Sequence, residues 1–501
     1  MQKIFFKFLF VLCASTAFVV AQQQPSAGEH QQLPSHVQRL NRVPVNQEIL
    51  KVKLPHPKEV QLPNGLTVLV LEQHKLPTVS YSLWIKSGAL ADPKDLPGLA
   101  SFTTDLLRDG TVKRSASQIA TELDELGATF FSDAPFGSNL TTIGSSGLAE
   151  SADKLMELMS DIVLNPSFPA DELEKYVRRE KTALVQLRTN PGFLASERFN
   201  RAVYGDFPAA IQSATPDSLA KVTPALLKEF HQKYYAPNNA ILGIAGDVTV
   251  EEATALAKKY FGQWKNHPLP DLPATKVTGP SSAKIYLVDR PGSVQSNILA
   301  GGLSLRRSDP DFIPLEVANR ILGGGGAARL FVNLREEKGY TYGAYSRVSS
   351  NIFPGTFAAN TEVRNPVTDG SLHELMYEFK RLRDEKVPAA ELDDAKRSIV
   401  SRFALSLESP VFVINRWMDV KYYGLAPDYW DHYSDEVAKV SAEMVQSMAR
   451  KYVDLDHLQI VVVGDAKDVR EAVSKYGTVQ VFDADGKPVE AKAGGAAPSG
   501  K

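Results

Sequence analysis

Residues 240–261 read AILGIAGDVTVEEATALAKKYF, and residues 458–477 read LQIVVVGDAKDVREAVSKYG. In each, an unbroken apolar run predicts a buried strand, Gly-Asp predicts a turn, and an amphipathic stretch predicts a helix. Gly246-Asp247 in the first copy returns as Gly464-Asp465, 218 residues later. Tyr235-Ala236-Pro237 leads into the first copy and Tyr452-Val453 into the second. One structural unit is therefore expected twice in the chain.

Working outward, VSYSLWIKSGAL at 79–90, with a helix expected near Leu99, corresponds loosely to SNILAGGLSL at 296–305, with a helix expected around Pro314–Leu322. Two matching segments in the same order are hard to obtain by chance. Long helices are expected at Asp171–Arg188 and Ala390–Leu407. The strands LTVLVLE and VSYSLWIKSG are separated by only a few residues around Lys75-Leu76-Pro77, too few for a parallel crossover. Each half is thus expected to be α+β, with helices packed on a largely antiparallel or mixed sheet. The stretch NHPLPDLPATKVTGPSSAK, dense in Pro, Gly and Ser, reads as a linker. The expected divisions are a signal peptide at 1–21, a disordered leader at 22–44, a first half at 45–265, a linker at 266–283, a second half at 284–480 and a disordered tail at 481–501.

The segment MQKIFFKFLFVLCASTAFVVAQQQ has Lys3 and Lys7 before an apolar run and Val19-Val20-Ala21 as a cleavage site. A polar Gln-rich tract follows at once, so it reads as a secretory signal rather than a membrane span, and export to a bacterial periplasm is expected. The single cysteine, Cys13, lies inside it, so the exported chain holds neither disulfide nor thiolate metal site. A formal net charge of −2 without a long basic run argues against nucleic-acid partners.

Two segments bear on chemistry. Residues 98–111, GLASFTTDLLRDGT, place Ser101, Thr104 and Asp105 at the spacing of the inverted zinc motif H-x-x-E-H. Serine and threonine hydroxyls are poor zinc ligands, and threonine takes no proton near neutral pH, so Thr104 cannot serve as a general base. On this segment alone a solvated polar helix face remains an alternative. The second segment, GGGGAARLFVNLREEKGYTYGAYS at 323–346, begins with Gly323, Gly324, Gly325 and Gly326. They are expected to form a loop between helices whose backbone moves or approaches a ligand. No Gly-Lys-Ser/Thr follows, which excludes a phosphate loop. Arg335, after a short helix, and Tyr342, expected on a strand, are a pair of donors suited to a carbonyl or oxyanion. Pairing of Arg335 with a neighbouring glutamate is the structural alternative.

This second segment resembles the C-terminal-half signature of the pitrilysin/insulinase family of zinc peptidases, which includes the mitochondrial processing peptidases. LPNGLTVLVLEQHKLPTVSYSLWIKSGALADPKDLPGLASF at 62–102 is similar to the opening of the same family's zinc half, and the likeness spans roughly residues 45–480. The resemblance implies a clam-shell in which one half supplies H-x-x-E-H and a distal glutamate, and the other an Arg/Tyr pair for the substrate carbonyl. Carried over, the histidines fall on Ser101 and Asp105, the base on Thr104 and the distal glutamate near Gln186. Arg335 and Tyr342 are intact. No two of the nine histidines lie three to five residues apart, so an alternative local zinc site has no support. The resemblance therefore implies a non-catalytic subunit, without cofactor of its own, of a heterodimeric zinc metallopeptidase. Its partner would be a zinc-binding subunit of the same family, and its substrates peptides. The competing expectation is a catalytically silent peptide-binding or scaffold protein of the cell envelope, possibly homodimeric.

Overall fold

The apolar runs and their flanking helices build two mixed sheets of six strands each. The computed structural model describes residues 48–271 and 275–489; the expected signal peptide, all of the expected leader, residues 272–274 of the expected linker and the end of the expected tail lie outside them. The first sheet contains β1 (Lys58–Gln61), β2 (Thr67–Glu72), β3 (Thr78–Ile85), β4 (Thr129–Asp133), β5 (Thr141–Leu148) and β6 (Ala240–Gly246), in the order β1-β2-β6-β3-β5-β4. The second contains β7 (Lys284–Asp289), β8 (Gln295–Leu303), β9 (Ala344–Val348), β10 (Thr356–Arg364), β11 (Gln459–Gly464) and β12 (Val479–Phe482), in the order β12-β7-β11-β8-β10-β9.

The two repeated strands, β6 and β11, hold the same place in their sheets. Each is parallel to one neighbour and antiparallel to the other. β2 and β3 run in opposite directions, as their short connection requires, but β6 lies between them. The sheets are mixed and largely antiparallel, as expected; β6 and β11 return after long helical excursions and pair parallel with β2 and β7. β12 adds a further parallel pair at the edge of the second sheet. It runs past the boundary expected at 480, and the chain then turns back so that Val489 N–H donates to the Val481 carbonyl.

The apolar runs are buried on both faces, and period-2 alternation sorts their side chains. Val68 and Val70 of β2, and Leu242 and Ile244 of β6, face the first half's own helices. Leu69, Leu71, Ile241 and Ala245 point the other way, into a core dominated by the second half. In the second sheet Ile285, Leu287, Ile460 and Val462 face that same core, whereas Tyr286, Val288, Val461 and Val463 meet a helix from the first half.

That exchange is reciprocal. The helix Pro191–Tyr204 packs its Leu194, Phe199, Val203 and Tyr204 on the second sheet, while Pro410–Tyr423 packs on the first. Both helices start with a capping side chain and a proline. Asn190 accepts from Phe193 N–H and Ser409 from Phe412 N–H, and Gly205 and Gly424 at positive φ end them. Ser82 Oγ donates to Asn415 Oδ1 at 3.0 Å and Trp417 Nε1 to the Pro55 carbonyl at 2.8 Å, tying the exchanged helix to the first half. At about 1.5–3 kcal/mol for each large apolar side chain covered, the exchange joins the halves into one cooperative unit. The described residues, which begin at Glu48, accordingly cluster together. No helix among the described residues is long and apolar enough to cross a membrane.

Candidate functional site

The helix Leu99–Asp105 follows β3 and is set by its first residues. Gly98 has φ +100°, and a Cβ there would lie 2.7 Å from the Phe102 ring. The Asp92 carboxylate accepts from Gly98 and Ala100 N–H at 2.7 and 2.8 Å, satisfying donors the helix start leaves open. The polar positions of this helix are not a solvated face. Ser101 Oγ donates to the Ala134 carbonyl at 2.6 Å. Thr104 is fully buried; its hydroxyl donates to the Ala100 carbonyl at 2.8 Å and lies 3.0 Å from the Tyr235 hydroxyl. The Tyr176 hydroxyl donates to Asp105 Oδ2 at 2.7 Å, and the Tyr176 ring stands edge-on to Phe102. Two neutral hydroxyls and one carboxylate, each engaged with a protein group, do not suit zinc. Among the described residues no three His, Cys, Asp or Glu side chains converge as a metal-holding group.

Gln186 is exposed near the end of the helix Ala170–Leu187. The residues of this helix that act on Asp105 are Tyr176, Arg179 and Glu180. Tyr176 and Tyr235 are the contributors that sequence reasoning passed over. Tyr235 was visible in the repeat's lead-in, but nothing local to Tyr176 signals its pairing with Asp105.

Burial pushes the Asp105 carboxyl up to about 6; Glu180 and Asp133 add to the shift, while the Tyr176 hydrogen bond and Arg179 oppose it. A carboxyl with a folded pKa above its unfolded one stabilises the protonated fold, and that stability is lost as pH rises through the folded value. Raising the pH from about 4 to about 7 should therefore lower the melting temperature of the native chain relative to Asp105→Asn, whose amide still accepts from Tyr176. Parallel melting curves for the two across this window would refute the assignment.

The glycine-rich segment follows the helix Phe312–Leu322. Its first two glycines are packed against neighbouring backbone. A Cβ on Gly323 would lie 2.3 Å from Ser346 N of β9, and one on Gly324 2.8 Å from Arg320 Cα. Gly325 is covered by the flexible Arg320 guanidinium, and Gly326 has open space on that side apart from the Phe331 ring. Arg335 sits inside a π-helical turn, Val332–Glu337, with Lys338 N–H donating to the Asn333 carbonyl at 3.0 Å. Such a turn inserts a residue and re-aims its neighbours. Arg335 stacks 4.7 Å over Phe331, and its Nε lies 3.6 Å from Glu336, a loose surface pair.

Tyr342 is not on a strand. It occupies the loop before β9, because Thr341 holds that loop through hydrogen bonds to the Glu362 carbonyl at 2.7 Å and the Gly343 carbonyl at 3.0 Å. With its backbone pinned, Tyr342 projects into solvent, 92 % exposed. Tyr340, two residues earlier, packs against Gly370. The fold thus closes the polar positions of the first half and leaves two donors of the second half open.

The fold is a duplicated α+β unit with a closed Ser/Thr/Asp helix in one copy and an open Arg/Tyr segment in the other. The insulinase (peptidase family M16) model matches residues 67–217, and the peptidase M16 inactive-domain model matches residues 221–399. The chain belongs to the insulinase, or M16, peptidase family. An uncharacterized zinc protease of Rickettsia felis is 27% identical over 360 residues, covering 70% of this chain and 84% of its own length. One of Mycobacterium leprae is 26% identical, covering 78% of this chain and 88% of its own. The crystal structure of a peptidase M16 inactive domain from Pseudomonas fluorescens matches with a TM-score of 0.76 and 27% identity, covering 82% of this chain and 98% of its own. A Helicobacter pylori protease, 20% identical with a TM-score of 0.76, covers 82% of this chain and all of its own and shares the fold.

Proposed function

We propose that this chain is the zinc-less, non-catalytic subunit of an exported two-subunit insulinase-family metallopeptidase of the bacterial periplasm. The observation that carries this reading is the contrast between the two segments. Ser101, Thr104 and Asp105 are tied to Ala134, Tyr235 and Tyr176, whereas Tyr342 stands in solvent on a pinned loop. Zinc would belong to a partner of the same family, which supplies the metal-dependent hydrolysis. This chain's Arg335 and Tyr342 bind the substrate peptide's carbonyl from the opposite wall. Their hydrogen bonds strengthen as negative charge develops on that oxygen, which is the condition for lowering the barrier. The charged n-region, the apolar run and Ala21 support export, and the lack of cysteine beyond Cys13 is compatible with it.

The test is co-expression with an H-x-x-E-H relative encoded beside this chain. Cleavage of unfolded peptides by the pair, and by neither chain alone, is the expected result. Peptide capture without cleavage in every combination would replace this reading with the silent binding protein.

A further inference from the structure

The helix Phe312–Leu322 repeats the burial pattern of Leu99–Asp105. Leu99, Ala100, Phe102 and Thr103 are buried around half-buried Ser101 and Asp105; Pro314, Leu315, Val317 and Ala318 are buried around half-buried Glu316 and Arg320. Glu316, Asn319 and Arg320 therefore take the places of Ser101, Thr104 and Asp105 in the second copy. The helices Ala170–Leu187 and Ala389–Ser406 correspond too, each of 18 residues and each preceded by a proline. In this alignment Ile399 and Arg402 stand where Glu180 and Ala183 stand in the first half.

In the first half these positions are closed by tyrosines. In the second they line an open cleft of about 410 Å³. Four guanidinium groups face it, those of Arg307, Arg320, Arg402 and Arg416. Among the described residues only Arg416 of the four has an ion pair, with Asp419 at 3.1 Å, and its buried Nε has no partner there. Arg307 lies 4.0 Å over the Phe312 ring and donates to the Tyr429 hydroxyl at 3.2 Å. Arg320 donates to the Gly324 carbonyl, and burial and the neighbouring Arg402 both disfavour its charge. Arg402 has no carboxylate within ion-pair distance among the described residues. Among the lining residues the one carboxyl, Glu316, accepts from Tyr433 at 3.0 Å; burial pushes its pKa up, while Tyr433, Arg307 and Arg416 oppose that shift. Positive charge is left in excess in a half-enclosed space, an arrangement an anion relieves.

We propose that this cleft binds a carboxylate of a peptide, held by Arg320 and Arg402. Guanidinium forks match a carboxylate's two oxygens, and the Phe403 and Phe412 rings offer apolar wall for the peptide's carbon skeleton. The cleft touches Gly324, at the head of the segment that carries Arg335. The proposal rests on the peptide-substrate part of the proposed function, but not on a second subunit or on cleavage. The chain's net charge of −2 does not favour a polyanion such as nucleic acid.

The test is fluorescence anisotropy on the full chain alone, using labelled peptides that carry three consecutive glutamates or three glutamines, each as free acid and as C-terminal amide. Carboxylate-bearing peptides should bind about tenfold more tightly than the glutamine amide, and Arg402→Gln should remove about that factor. Arg402 is exposed, so an unchanged melting temperature checks that the variant folds. Preference for the glutamate amide identifies a side-chain carboxylate, and preference for the glutamine free acid identifies a chain terminus. Either supports the proposal. Equal affinity for all four peptides, or no effect of Arg402→Gln, overturns it, as does binding of inorganic phosphate in preference to every peptide. Because nothing is cleaved, the result is independent of whether the two-subunit enzyme exists.

Discussion

Arg335→Ala in the assembled two-subunit peptidase is expected to lower kcat by about 100- to 1,000-fold, the usual loss when one donor to a developing oxyanion is removed. The melting temperature should hardly move. The side chain is 46 % exposed and its contacts are a stack on Phe331 and a loose approach to Glu336, so removal opens no core. Tyr342→Phe should show the same signature more weakly, because it deletes one hydroxyl from a residue already in solvent. If both groups bind one oxygen, the double variant should lose less than the product of the single losses. A rise in KM with kcat unchanged would mean that the pair grips substrate without acting on the barrier. Full activity in the double variant would end the assigned role.

The largest loss of stability is expected from Gly246→Ala. Gly246 has φ +134°, and a Cβ there would lie 2.1 Å from the Thr78 carbonyl oxygen and 2.9 Å from Val79 Cα. Both neighbours are backbone of β3, the strand paired with β6, so relief requires the two strands to part. A cost above about 4 kcal/mol is expected, in the range reserved for strain that packing cannot absorb. Gly464, its repeat counterpart, is the control. The nearest atoms to a Cβ there all belong to Ser296, Oγ closest at 3.1 Å, and φ is not in the left-handed region. Gly464→Ala should cost far less, and chemical denaturation of the two variants measures the difference. Equal losses would mean that the Gly-Asp turn itself, rather than the close approach of β3, governs both sites.

Much of this was legible in the chain. The apolar runs ending at Gly246 and Gly464 announced strands, and their repetition announced two units. The helices expected at Asp171–Arg188 and Ala390–Leu407 lie within a residue of Ala170–Leu187 and Ala389–Ser406. Around the candidate site local reading reached less far. Tyr342 sits in a strand-like sequence, but Thr341 binds the Glu362 carbonyl and bends that stretch into a loop. The four glycines suggested mobility; two of them are required because β9 and the Phe312 helix approach too closely for any side chain.

By itself the sequence determined the duplicated strand-and-helix unit, since apolar periodicity is a local property. It also determined that Ser101, Thr104 and Asp105 offer two hydroxyls and one carboxylate at those positions, because donor chemistry belongs to residue type. Only the tertiary structure decided which half covers which sheet face, that Tyr176 and Tyr235 close one copy of the site, and that arginines leave the other open. Those outcomes depend on packing between segments far apart in the chain, 71 residues for Tyr176 and Asp105 and 333 for Ser82 and Asn415. A buried face accepts any apolar partner of suitable shape, so its actual partner is chosen when the whole chain packs.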